Sequence, residues 1–230
     1  MESAYRQVSK MAEQRIKEEY YKTIQESGFL CGIPEIEQKN AVRRLQIRIR
    51  EYKEEELIFL EGEEIKEIAI LHSGTVRGEK FHMEGAVDLM YIYKHGEIFG
   101  AEAPVSRMKT SPLTYMANEK AEVIFIDFQS AIQTEYASRI ALGLLQILAD
   151  DNIKKLYKIE ALSKRGLRDR IMTYLKIISS KAGGSEFCIH MDREQFAQYL
   201  CVNRSALSYE LNQMKREGII DFKKDHFRIL

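Results

Sequence analysis

Residues 191–230, MDREQFAQYLCVNRSALSYELNQMKREGIIDFKKDHFRIL, decide how this chain folds at its carboxyl end. Asp192 and Gln195 stand three apart ahead of FAQYL, the spacing of a capping box, in which two side chains satisfy backbone N–H groups that a first helical turn leaves unpaired. Met191 and Phe196 can close a hydrophobic staple over the same turn, so a helix is predicted from Asp192 to near Leu200. CVN leaves room only for a tight turn, and Asn203 is placed to cap a second helix. Leu207, Leu211 and Met214 recur there at i, i+4 and i+7, which makes one apolar stripe. Gly218 stands where a left-handed residue ends the helix. IIDFKKDHFRIL then reads as two short strands turning at Lys224 and Asp225.

Two helices joined by a three-residue turn make a helix-turn-helix, and the two strands would be its wing. Advancing about 100° per residue along the second helix puts Ser205, Tyr209, Asn212 and Arg216 opposite the stripe, with Arg204, Ser208 and Lys215 on its flanks. None of these seven is acidic; Glu210 and Glu217 fall elsewhere on the wheel. Such a face suits a major groove, where Arg grips guanine O6 and N7 and Ser, Asn and Tyr reach phosphates or base edges. With Asn203 at the helix start, and Lys223, Lys224 and Arg228 on the wing for backbone phosphates, the segment reads as a binder of double-stranded DNA. The competing reading is a solvated helix of a small bundle, but such a helix needs no turn, cap or wing.

Charge agrees with that division. The chain of 230 residues carries 35 Lys plus Arg and 35 Asp plus Glu, yet residues 161–230 hold 13 basic and 8 acidic side chains, a net of +5, which leaves −5 on residues 1–160. A basic final third points to a polyanion. A composition 45% hydrophobic and 30% charged supports a packed core and excludes disorder throughout. Cys31, Cys188 and Cys201 are too dispersed for a metal or redox motif, so they are expected to be reduced and mostly buried, with no metal ligand among them. With neither a signal-peptide core nor a stretch long enough to span a membrane, a soluble cytoplasmic protein is expected.

Upstream, residues 1 to about 50 read as helical, with Tyr5, Val8, Ala12, Ile16, Tyr20 and Ile24 near the helical period. From Leu57 to Ile126 the texture changes to LIFL, IAILHSG, VDLMYIY, LTYMA and AEVIFID, separated by glycines, the pattern of an antiparallel sandwich or barrel. No proline follows Pro112, so helices should dominate the remaining half. Residues 129–160 form the longest candidate and are apolar on two faces: Ile140, Leu144 and Ile147, and a second set of Leu142, Leu145, Ala149, Asn152, Leu156 and Ile159. The second set steps by three and four alternately, the spacing of a coiled-coil seam. It predicts a helix that pairs two chains, with one helix buried inside a monomer as the alternative.

The chain resembles the CRP/FNR family of bacterial transcription regulators. FCIHMDREQFAQYLCVNRSALSYELNQMKREGIIDFKKDHFRIL is close to the family's DNA-binding pattern, and LRDRIMTYLK resembles the helix leading into it. CGIPEIEQ, YKEEELIFLEGEEIKEIAILHSGTV and HGEIFGAEA resemble the family's β-roll. The resemblance implies an α+β fold: an N-terminal helical extension at 1–27, a jelly-roll-like antiparallel β-roll that senses an effector at 28–128, a dimerisation helix at 129–160, and a winged helix-turn-helix at 161–230 with a hinge at 161–166. It places Arg204 at the first base-reading position, but Ser205 and Tyr209 differ from the glutamate and second arginine of the cyclic-AMP receptor protein.

The same resemblance places an effector pocket at Gly100, Ala101, Glu102, Ser111 and Pro112. Cyclic-nucleotide-binding members use a glutamate after the glycine turn for the ribose, where this chain has Ala101, and an arginine before Ser or Thr for the cyclic phosphate, where it has Ser111 and Pro112. A buried phosphate without its cation is costly, so a cyclic nucleotide is not expected, and Arg107, four residues away, is poorly placed to substitute. The dispersed cysteines do not suit an iron–sulfur cluster, and His72, His82 and His95 read as structural rather than haem ligands. No cofactor is identified and the effector stays unknown; a cyclic-nucleotide-responsive regulator with an atypical pocket is the alternative. A cupin-like enzyme is disfavoured because no H-x-H or HExxH occurs, and GTVRGEK lacks the glycine spacing of a Walker A loop. The implied partners are double-stranded DNA, a second copy of the chain and RNA polymerase, and no membrane, although no pattern identifies the residues that would contact the polymerase.

Overall fold

A computed structural model describes residues 16–230; the expected helical positions Tyr5, Val8 and Ala12 lie outside them. The chain divides into two compact units, one comprising the residues up to Glu79 together with Ile92–Ala149, the other Lys80–Tyr91 together with Asp150–Leu230.

The first unit opens with helices α1 (Glu18–Glu26) and α2 (Glu35–Arg43). The strands that follow are β1 (Ile47–Tyr52), β2 (Leu57–Phe59), β3 (Glu67–Ser73), β4 (Val76–Phe81), β5 (Val87–Tyr93), β6 (Ile98–Phe99), β7 (Thr114–Ala117) and β8 (Ala121–Asp127), with the short helix α3 (Glu102–Val105) between β6 and β7; the end of β4 and most of β5 fall in the second unit. They form two antiparallel sheets, ordered β1-β8-β3-β6 and β2-β7-β4-β5. The fold is mixed α+β, with antiparallel sheets first, a long helix next and a helix-turn-helix last. β3 and β8 are central in their sheet, and the unbroken apolar runs Ile68–Leu71 and Val123–Ile126 are buried throughout, as a strand covered on both faces requires.

Strand β1 corrects the expectation of helix to residue 50. IRIREY alternates apolar and charged residues at period two, and as an edge strand it exposes Arg48, Arg50 and Glu51. The Arg48 guanidinium lies 4.0 Å from the Phe125 ring centre and that of Arg50 4.6 Å from Tyr52, so the arginines cover apolar surface while their charges stay wet.

The expected helix at 129–160 is also corrected. The chain makes a short helix α4 (Phe128–Ile132), capped by the Asp127 carboxylate on Ser130 N, then restarts as α5 (Ala137–Leu162). Ile140 and Leu144 of α5 join Tyr20, Tyr21, Ile24, Phe29, Ile68, Ile70, Ile124 and Ile126 in one core. Gly143 is what lets α5 approach so closely, because a Cβ there would stand 2.8 Å from the Phe29 carbonyl oxygen. α1 is also tied to the sheet by polar contacts: Tyr20 Oη donates to Glu122 at 2.8 Å and Thr23 Oγ1 lies 2.8 Å from His72 Nδ1.

The second unit contains the hairpin tip Lys80–Tyr91, the second half of α5, and helices α6 (Leu167–Ala182), α7 (Arg193–Tyr199) and α8 (Arg204–Arg216). β9 (Glu186–Cys188), β10 (Ile220–Lys223) and β11 (His226–Ile229) form a three-stranded sheet in the order β10-β11-β9. Asp192 and Gln195 form the expected capping box. Asn203 is the first cap of α8 by backbone position, but its side chain makes no capping hydrogen bond. Gly218, at φ +74°, closes α8 with Ile219 N on Met214 O at 3.0 Å and its own N–H on Lys215 O at 3.1 Å, the pair of bonds of a Schellman ending.

Candidate nucleic-acid interface

Leu207, Leu211 and Met214 are fully buried, which fixes how α8 sits on its domain and so which side faces out. On that outer side Arg204, Ser205, Tyr209, Asn212 and Arg216 are exposed and Ser208 is half-buried. Tyr209 is 65% exposed although its ring is large and apolar, a placement that folding alone does not favour. Two contacts order the face: Gln213 Nε2 donates to Tyr209 Oη at 2.9 Å, and Asn212 Nδ2 donates to the Ser208 carbonyl at 2.9 Å. Arg204 Nε stands 4.0 Å from Glu194 on α7. Asn203 is exposed at the helix start.

The flanking cations divide into two groups. Lys223 and Lys224 are exposed at the wing turn, where Lys224 takes a left-handed φ of 56°. Lys215 and Arg228 instead serve the wing itself: Lys215 Nζ reaches Asp221 at 2.5 Å and the Phe222 carbonyl at 3.2 Å, and Arg228 pairs with Glu186 on β9. Both side chains stay exposed beside these carboxylate partners.

The sequence reading missed Arg168. From α6 it holds Glu210 of α8 at 2.6 Å and Glu217, the residue that follows the helix, at 2.6 and 3.0 Å. Those carboxylates raise the Arg168 pKa further, and hydrogen bonds from Arg168 hold the Glu217 carboxyl below its ordinary range. One guanidinium thereby offsets part of the negative charge at Glu210 and at the end of α8. The signal was present as an arginine in LRDR, but pairing across 42 residues is invisible to helical spacing.

The cysteine expectation is likewise corrected. None is in a disulfide, but Cys31 and Cys201 are exposed and Cys188 is half-buried. Cys31 Sγ faces Gln146 at 2.9 Å, and Cys201 takes a left-handed φ of 54° in the turn between α7 and α8.

The residues assigned to an effector pocket all lie in the first unit. Gly100 turns the chain at φ +70° and Ala101 is buried. Glu102 accepts a hydrogen bond from Tyr115 Oη at 2.7 Å, and burial raises the phenol's pKa well above its ordinary value. Ser111 is buried with its hydroxyl on the Leu113 carbonyl at 2.6 Å, Pro112 is exposed, and Arg107 is exposed. Phe59, Phe99, Tyr93 and Tyr115 pack together with ring centres 5.3 to 6.1 Å apart. On α5, Leu142, Leu145, Ala149, Asn152, Leu156 and Ile159 are all exposed. Among the described residues no helix is long and apolar enough to cross a membrane.

Two family models match the chain, the cyclic nucleotide-binding domain over residues 49–134 and the Crp-like helix-turn-helix domain over residues 169–230, together more than half its length. The chain belongs to the CRP/FNR family. Among solved structures, FixK2 from Bradyrhizobium japonicum is 19% identical, with 80% of this chain and 93% of that one aligned at a TM-score of 0.66. A CooA mutant from Carboxydothermus hydrogenoformans is 19% identical over 80% and 83% of the two chains, at 0.67. The c-di-GMP responsive global regulator CLP from Xanthomonas campestris is 16% identical over 80% and 93%, at 0.66. At these identities the likeness shows the fold. No curated protein matches the sequence. As a CRP/FNR-type transcriptional regulator, the chain carries its helix-turn-helix within residues 169–230.

Proposed function

We propose that this CRP/FNR-type regulator is a cytoplasmic dimer that reads a specific operator through Arg204, Ser205, Ser208, Tyr209, Asn212 and Arg216, under control of an effector other than a cyclic nucleotide. The observation that carries the reading is the exposed face of α8, cationic and hydroxyl-bearing, above a fully buried stripe of Leu207, Leu211 and Met214. Asn203, Lys223 and Lys224 flank it and serve as phosphate contacts. The exposed seam Leu142, Leu145, Ala149, Asn152, Leu156 and Ile159 supports pairing, because six residues at coiled-coil spacing are left without apolar cover in one chain. Two chains related by a two-fold axis would present two recognition helices to half-sites about 34 Å apart.

The pocket positions support an effector of different chemistry. Ser111 spends its hydroxyl on Leu113, Glu102 accepts from Tyr115, and the aromatic rings there offer no cation to a cyclic phosphate. The division into a sensor at 28–128, a pairing helix at 129–160 and a DNA-binding domain joined through 161–166 belongs to the same proposal. Selection from random duplex tests the reading as a whole. A palindrome with half-sites one helical turn apart should emerge, and failure to enrich any sequence, with or without added cell metabolites, would overturn it.

A further inference from the structure

The wing brings Asp225 up to Cys188 and His190, a pair that precedes it by more than thirty residues. Cys188 is the last residue of β9 and pairs across the sheet with His226; His190 follows two residues later; Asp225 sits in the turn between β10 and β11. One ligand atom from each of Cys188, His190 and Asp225 lies within 4.8 Å of the other two. The backbone fixes this meeting. Ile189 N donates to the Asp225 carbonyl at 2.9 Å, and His190 takes a left-handed φ of 53°, uncommon for a residue with a side chain and a candidate functional constraint. Cys188 Sγ lies 2.9 Å from Asp225 Oδ2, while the other oxygen of that carboxylate is 3.1 Å from His226 Nδ1.

We propose that Cys188, His190 and Asp225 form a binding site for one zinc-class divalent ion, with its fourth position open to solvent. A thiolate, an imidazole and one carboxylate are the donors such an ion prefers, whereas calcium and magnesium select oxygen alone. Ion–ligand bonds of about 2.0–2.3 Å imply tetrahedral ligand separations of about 3.3–3.8 Å, so shifts on the order of an ångström convert the present arrangement into a coordinated one. The thiol S–H bond breaks, its proton goes to solvent, and a sulfur–metal bond forms in its place; no electron changes owner. His226 remains on the outer oxygen of Asp225 and orients the carboxylate. His190 is exposed and the other two are half-buried, so the ion enters directly from solvent.

The site would tie the wing turn, with Lys223 and Lys224, to the segment entering α7 at the Asp192 cap, and make the wing's position depend on metal. That regulatory consequence rests on the DNA-binding reading above; occupancy of the site does not, so the two can fail separately.

Cobalt titration of the full reduced chain, stripped with chelator, tests occupancy. One Co²⁺ per chain should produce thiolate-to-metal charge-transfer absorption that Zn²⁺ displaces. The absorption should vanish in Cys188→Ser, weaken by about tenfold or more in apparent affinity in His190→Gln and Asp225→Asn, and survive in Cys31→Ser/Cys201→Ser. Should Cys188→Ser fail to fold, protection of Cys188 from alkylation by Zn²⁺ in the unaltered chain, read by mass spectrometry, decides the same question. Absence of a thiolate band, a band that persists without Cys188, or alkylation indifferent to Zn²⁺ would each refute the site.

Discussion

Arg168 grips Glu217 with both terminal guanidinium nitrogens, at 2.6 and 3.0 Å, and so joins α6 to the end of the recognition helix. Its third nitrogen holds Glu210 at 2.6 Å. Arg168→Ala would leave two carboxylates uncompensated, one on α8 and one at its end. Because the cluster is well exposed, the melting temperature should change little. DNA affinity should fall by on the order of fivefold at low salt, and the deficit against the unaltered chain should narrow as salt is raised, since the added repulsion is screened. Fluorescence anisotropy at two ionic strengths measures both; an affinity loss independent of salt would point to misplacement of α8 instead.

Arg204 leads the exposed face and makes a 4.0 Å ion pair with Glu194. Arg204→Ala should cost about 1–3 kcal/mol per half-site and relax base preference at one operator position. The check is competition among operators substituted one base at a time. Equal weakening on every sequence would assign Arg204 to phosphate.

The seam on α5 predicts the oligomeric state. Leu145 is 64% exposed and Leu156 56%, so glutamate at either position leaves the fold of one chain intact while placing like charges opposite each other across a pair. Sedimentation equilibrium should show a dimer for the unaltered chain and a monomer for Leu145→Glu/Leu156→Glu. A monomer in both would remove the pairing, and with it the two-half-site operator.

Calorimetry with cyclic AMP and cyclic GMP should give no isotherm in the micromolar range. Ser111 and Pro112 supply no cation, and a desolvated phosphate without one is unfavourable by several kcal/mol. A micromolar isotherm that Arg107→Ala abolishes would show that the exposed Arg107 folds inward to serve as the missing cation.

What the sequence disclosed and what it hid follow from the range of the interactions. The capping box at Asp192, the stripe at Leu207, Leu211 and Met214, and the stop at Gly218 are local, because each is set by residues within a few positions. So is the run of central strands such as β3 and β8. Hidden were β1, whose arginines mask its period of two, and the break at residues 133–136 that shortens the long helix. Also hidden were the contacts made across tens of residues: Arg168 with Glu210 and Glu217, and Cys188 with Asp225. The seam residues were legible as a pattern, while their exposure required the fold.

Lys158 supplies a test of the second unit's packing. It is a lysine with 6% exposure, its ammonium donating to the Leu89 carbonyl at 2.5 Å and lying 4.6 Å from the centre of the Tyr199 ring. Burial pushes its pKa down from 10.5 to about 8. Charging is therefore harder in the folded state than in the unfolded one, and below pH 8 the folded chain bears that whole cost. Between about 8 and 10.5 the unfolded chain holds the proton and the folded chain does not, so stability rises with pH across that window. At 1.36 kcal/mol per pKa unit the rise is on the order of 3 kcal/mol. Lys158→Met keeps the packing volume and removes the charge; it should stabilise the protein by about 1–3 kcal/mol at pH 7 and flatten the profile between pH 8 and 10.5. Urea unfolding across that range provides the measurement. A destabilised Lys158→Met would mean that the contacts to Leu89 and Tyr199 outweigh the desolvation cost, and that Lys158 fastens the Lys80–Tyr91 hairpin to the helices that carry the DNA-reading face.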